Sequence, residues 1–202
     1  MVSSLTAAKA ASIAIFLASV AAAARAADDA ASAAVRALNA DLLTHDSATE
    51  VLGRWCASHH LADPPIIKAL RDKALVKTAD HRIRTLLQLG PGEPVRYRRV
   101  RLVCGFHTLS NADNWYVPDR LTPDMNRQLD QTDIPFGIVV KPLGYRRVRG
   151  VSILAPSRDE RSGVGQGVLR HEALLVTASG LPFSFVAETY TPDVTIISPP
   201  GR

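Results

Sequence analysis

Apolar and polar residues recur along the chain with two different periods, and the change of period divides it. In DDAASAAVRALNADLL (28–43), Val35, Leu38 and Leu42 fall at helical spacing, which predicts an alanine-rich helix with one buried stripe. Asp46-Ser47 then stand before Val51, Leu52 and Trp55, a cap followed by a second amphipathic helix that Pro64-Pro65 ends. A short apolar run from Ile66 to Leu70 has the length of a strand. Thr78 is placed to cap a brief helix through Leu86 and Leu87, stopped by the turn LGPGEP (89–94).

From residue 95 onward the pattern alternates with period two. Strands are expected near 95–104 and 109–117, joined by GFHT, and again at 146–154, 168–177 and 182–190, the last two joined by ASGL. Two short helices interrupt them. One starts at Thr122-Pro123-Asp124, where a hydroxyl cap, a proline in the first turn and an acid near the positive end of the dipole coincide. The other follows TDIPFG near 137–142. The polar, glycine-rich SRDERSGVGQG (157–167) predicts a mobile loop, a candidate lid, and SPPGR a loose tail. The fold class that results is α+β, with a single antiparallel sheet of about five or six strands and helices packed on one face.

Alternation also sorts the polar side chains. On 95–104, Val100, Leu102 and Cys104 take one side, leaving Tyr97, Arg99, Arg101 and Val103 on the other. On 182–190, Phe183, Phe185 and Ala187 oppose Ser184, Val186, Glu188 and Tyr190. Arg99 and Glu188 are thereby expected together on the more polar face. An exposed cross-strand ion pair there would mean little. A pocket would give arginine a carboxylate to hold and glutamate a proton to move. Asp113, Asn114 and Tyr116 flank this position on the neighbouring strand as candidate supporting residues. The cluster Arg146, Arg147, Arg149 reads as a solvated edge.

The first residues change the picture of the whole. Lys9 precedes an apolar run of about 14 residues, which ends in small residues including Ala24-Arg25-Ala26. This is the layout of a secretory signal peptide over 1–26, short for a bilayer span, with an uncleaved anchor as the alternative. It implies a periplasmic or secreted protein over 28–202, without stable membrane insertion after cleavage. Removing it leaves 22 basic against 19 acidic residues, a net charge of +3, which speaks against a nucleic-acid-binding domain. Cys56 and Cys104 could pair in an oxidising compartment, but Cys104 lies on the apolar side of its strand, and a buried free thiol is the expectation. His59, His60 and Asp63 lack the spacing of a metal site.

Several segments, in order, resemble the chorismate lyases over roughly residues 42–192: LLTHDSAT (42–49), RRVRLVCGFHTLSNADNWYVP (98–118), TDIPFG (132–137) and GLPFSFVAETYTP (180–192). NWYVP, RLTPDMN and TDIPFG look closer to a divergent branch of that family. The resemblance implies cleavage of chorismate, or a related cyclic carboxylate, to a 4-hydroxybenzoate-type product and pyruvate, with no cofactor and no metal. It places Glu188 on the family's essential carboxylate and Arg99 where an arginine holds the product's carboxylate. Phe136-Gly137 stand at the family's leucine-glycine loop, and Ala48 where a methionine lies near the ligand. Phe136 would shrink the pocket and Ala48 enlarge it. The same fold is shared by the ligand-sensing (UTRA-like) domains of bacterial transcription regulators, and LQLGPGEPVRYRRVRL resembles their entry strand as well. The alternative is therefore a non-catalytic exported binder of a small anionic aromatic or cyclic carboxylate.

Overall fold

The computed structural model describes residues 4–154 and 167–196, with side chains from residue 22. The loop expected at 157–167, except Gly167, and the tail SPPGR lie outside the described residues.

Six strands form one antiparallel sheet: β1 (Ile67–Asp72), β2 (Arg96–Cys104), β3 (His107–Tyr116), β4 (Arg146–Leu154), β5 (Leu169–Val176) and β6 (Pro182–Tyr190). Their order across the sheet is β1-β2-β3-β6-β5-β4. Tight connections at Gly105-Phe106 and at residues 177–181 dictate the antiparallel pairing of β2 with β3 and of β5 with β6. β6 lies in the middle and is buried along nearly its whole length on both sides.

Four helices pack on one sheet face: α1 (Ser4–Thr44), α2 (Ala48–Ser58), α4 (Pro123–Gln131) and α5 (Phe136–Val139). The expected stripe of α1 shifts slightly, since Ala34, Leu38 and Leu42 are its buried residues and Val35 is only partly covered. α1 also runs without a break through residue 26, and none of its positions from 22 to 33 is buried. Ser47 caps α2 by accepting from the Glu50 amide at 3.2 Å, and Thr122 caps α4 through the Met125 amide at 3.2 Å. The short α3 (His81–Leu86) is capped by Asp80, whose Oδ1 accepts from the Ile83 amide at 2.8 Å, rather than by Thr78. It lies on the opposite face, where Ile83 and Leu87 cover Trp115, Phe185 and Ala187. Both faces of the central strands are thus core.

The expected free thiols are a disulfide. α2 crosses the sheet so that Cys56 faces the end of β2, and the Cα atoms of Cys56 and Cys104 stand 6.2 Å apart, an ordinary spacing for the bond. Burial on an apolar stripe, taken as the sign of a free thiol, is what two packed elements facing each other also produce. No described helix is long and apolar enough to cross a membrane.

Candidate functional site

The sheet register decides which polar residues meet. Val100 pairs with Ala112, which pairs with Glu188, which pairs with His171. Side chains directly opposite share a face, so Glu188 lies on the side of Val100 and Leu102, under α2 and α5. Arg99 belongs to the next row, with Asp113, Ala187 and Glu172, and points the other way. The expected meeting of Arg99 and Glu188 does not occur. It assumed that each strand had one core face and that the two remaining faces coincided, whereas β6 is core on both sides.

Arg99 and Asp113 are instead tied into a surface-side network on the α3 face. Asp113 Oδ1 accepts from Tyr97 Oη at 2.5 Å and Arg99 Nη1 at 3.1 Å, and its Oδ2 accepts from Lys77 Nζ at 2.7 Å. Burial alone would raise the Asp113 pKa, but the hydrogen bonds from Lys77 and Tyr97 outweigh it and hold the carboxyl below its usual range.

A cavity lies between the other face and the helices. Its floor is Arg98, Val100, Asn114, Val186 and Glu188, and its roof is Ala48 and Thr49 at the start of α2 with Phe136 and Gly137 of α5. Tyr145 and Arg147 close one side. The space is about 40 Å³, room for a few waters. Of the residues singled out from sequence, Ala48, Asn114, Phe136, Gly137 and Glu188 are brought together here. Tyr116 sits behind Phe136, with ring centroids 5.4 Å apart.

Two arginines that alternation did not single out complete the site. Arg147, expected on a solvated edge, is buried and paired with Glu188, each side chain 5% exposed. Burial works against its charge, but the Glu188 carboxylate beside it more than offsets this and raises its pKa. Glu188 Oε2 also accepts from Tyr190 Oη at 3.2 Å, leaving Oε1 without a protein donor among the described residues. Arg98 is 3% exposed and has no carboxylate partner among the described residues. Its Nη2 donates to the Ile134 carbonyl over a long 3.4 Å, and its Nε is buried without an acceptor among the described residues. Burial first, then the nearby Arg71 charge, pushes its pKa down to about 10, so it remains a cation at neutral pH. A signal for Arg98 was present, as it extends the apolar stripe Val100-Leu102-Cys104 by one step. Nothing in RRVRGVSIL distinguishes Arg147 from its neighbours.

With Arg98, Arg147 and Glu188 the cavity carries one net positive charge. Asn114 Oδ1 accepts from Ser184 Oγ at 2.6 Å, which turns its amide nitrogen outward as a donor. Three hydroxyls, Tyr145 Oη, Ser47 Oγ and Thr49 Oγ1, lie 3.2–3.4 Å from where a Cβ on Gly137 would stand, so a side chain at this position would press on the roof. Among the described residues no group of His, Cys, Asp and Glu is arranged to hold a metal.

His171 lies beside Glu188, its Nε2 2.7 Å from Asn39 Oδ1 and 3.1 Å from Ser152 Oγ. Burial lowers its pKa below the usual 6.5, although the Glu188 charge pulls the other way. The unfolded chain therefore takes up this proton first as pH falls. Stability is expected to decline from about pH 6.5 downward, and the His171→Gln variant should show a flatter decline in urea melts at pH 7.5 to 5.5. Equal slopes in both proteins would remove His171 from this role.

No family model matches the chain. Among solved structures it is similar to the effector domain of PhnF from Mycobacterium smegmatis, at 14% identity and TM-score 0.47, covering 69% of this chain and 90% of that one. It is also similar to a GntR-family transcriptional regulator from Bacillus cereus, at 14% identity and TM-score 0.42, covering 63% and 92%. A curated relative, the uncharacterized protein y4mC of Sinorhizobium fredii (strain NBRC 101917 / NGR234), is 43% identical over an alignment of 178 residues, with 80% of this chain and 75% of that protein covered. By that likeness the chain belongs to the y4mC family.

Proposed function

We propose that the protein binds a small carboxylate in the cavity between the sheet and α2/α5, with Arg98 as its anchor. The observation that carries this reading is a buried guanidinium that makes no ion pair with a carboxylate among the described residues, Asp133 and Asp130 acting on it only from beyond contact distance, because a buried charge without a close partner costs several kcal/mol. A bidentate carboxylate fits a guanidinium in a way that water does not, and Asn114 stands beside it as a second donor. The cavity of about 40 Å³ favours acids of few heavy atoms. An aromatic or cyclic acid enters only if Phe136 or Tyr145 turns aside.

Thermal-shift titration of the full chain with pyruvate, benzoate and 4-hydroxybenzoate tests the proposal. At least one acid should stabilise the protein, and Arg98→Ala should weaken its binding by 10-fold or more, the loss of a charge-assisted hydrogen-bond pair. Arg99→Ala should bind as the wild type does. Equal binding by the Arg98→Ala variant would end the proposal. Chorismate pyruvate-lyase chemistry at the same site is a second reading, favoured by the position of Glu188, which lines the cavity and whose Oε1 has no protein donor among the described residues. Formation of 4-hydroxybenzoate from chorismate, abolished in Glu188→Gln, would establish it.

We also propose that the protein is exported and that 1–26 is its leader. The Cys56–Cys104 bond fits an oxidising compartment. Cleavage after Ala26 would leave the packing face of α1 whole, since its buried side chains begin at Ala34.

A further inference from the structure

We infer that the β2–β3 end of the sheet is a membrane-contact surface, at which Phe106 and Ile66 enter the surface of a phospholipid bilayer. Phe106 is fully exposed at the tip of the hairpin. Ile67 pairs with Cys104, so the exposed Ile66 stands next to the same turn. A single exposed apolar residue is ordinary, but this one cannot fold back. Cys104, two residues earlier, is bonded to α2. Gly105 holds a left-handed conformation (φ 56°) with Ala62 Cβ only 2.9 Å from where its own Cβ would be. On the other side of the tip, the Thr108 amide donates to Asp193 Oδ2 at 2.9 Å. The turn is held on both sides, and the ring projects from it.

Two further features choose the bilayer as partner. The first is direction. Arg149 of β4 donates to the His45 carbonyl, and Ser152, further along β4, meets Asn39 Oδ1 at 2.9 Å. Going backward along α1 is therefore going forward along β4, towards Leu154, which pairs with Leu169 and so lies level with Tyr190 and Ser110. The N-terminal segment leaves the body at the same end as Phe106, so as long as the leader is uncleaved it brings this end of the sheet to the membrane that the chain crosses. The second is charge. Lys68 and Arg101 are exposed on the strands behind the tip and have no carboxylate partner among the described residues, within reach of lipid phosphates. A second copy of the chain is a poor occupant, because two side chains offer far less than the roughly 800 Å² per partner of a stable interface. A bilayer accepts one projecting aromatic ring without a complementary pocket.

Flotation of the full chain with vesicles of phosphatidylcholine and phosphatidylglycerol tests this, with a Phe106→Trp variant reporting the tip itself. Trp55 and Trp115 are buried, so a blue shift on adding vesicles, and quenching by lipids brominated on the acyl chains, would come from the introduced indole. We expect both, and Phe106→Ser should partition into the vesicles about 5-fold less well or worse, the loss of one buried aromatic. Three results would overturn the inference. In one, the chain floats but the indole at the tip keeps its water-exposed emission, which assigns contact to the N-terminal segment alone. In another, the chain does not float. In the third, sedimentation without vesicles reveals a dimer that Phe106→Ser dissolves.

Discussion

Replacing both Cys56 and Cys104 with alanine is expected to lower the unfolding free energy by about 4 kcal/mol. The bond closes a loop spanning 48 residues, and the chain-entropy relation gives that magnitude for a loop of such length. Position adds to it. Cys56 and Cys104 are fully buried, and they join the helix that roofs the cavity to the strand that carries Arg98. Urea unfolding of oxidised, reduced and Cys56→Ala/Cys104→Ala protein measures the effect, with thiol titration of the denatured chain as a check on the bond. If the oxidised and reduced proteins unfold at the same midpoint, the bridge contributes nothing and the packing of α2 alone holds the roof. A reduced protein that unfolds early but binds carboxylate normally would separate stability from site geometry.

The second large effect is expected at Arg147. Arg147→Met leaves the Glu188 carboxylate buried with, among the described residues, only the Tyr190 hydroxyl to satisfy it, and breaking a buried pair from one side costs about 3–5 kcal/mol. Removing both charges together, in Arg147→Met/Glu188→Leu, should recover most of that loss, because well-packed apolar residues replace such a pair at little cost. The four proteins form a double-mutant cycle, read by urea melts. A single variant within about 1 kcal/mol of wild type would show that water reaches Glu188 and that the pair is not a buried one. The same double variant keeps Arg98, so its carboxylate binding also tells whether one guanidinium suffices.

These two predictions rest on contacts that differ in how far local pattern foretells them. Thr122-Pro123-Asp124 starts a helix because a capping hydroxyl and a prepared φ act within four residues, and Met125 and Leu129 are buried as their spacing implies. The strands at the Tyr97 and Phe185 stretches follow from alternation in the same way. Ala48, Phe136, Gly137 and Glu188 were legible through segment likeness and Asn114 through its place on the neighbouring strand, and the cavity gathers them. The arginine at its floor was not. Arg98 and Arg99 differ by one position, and a one-residue step reverses the face of a strand. Choosing between them needs the register of β2 against β3 and β6, which no local run of residues encodes.

Local chemistry along the chain determined its helices with their main caps, its six strands and the antiparallel hairpins, since those depend on neighbours a few residues apart. Tertiary structure alone decided the disulfide, the burial of Arg147 and the identity of the cavity's arginine. Each depends on groups separated by tens of residues, such as Cys56 with Cys104 and Arg147 with Glu188. Such pairs meet only when the sheet order β1-β2-β3-β6-β5-β4 and the crossing of α2 over it are in place. In this sheet both faces of the central strands are buried, so polarity no longer marks which face is the site, and only the packed helices do.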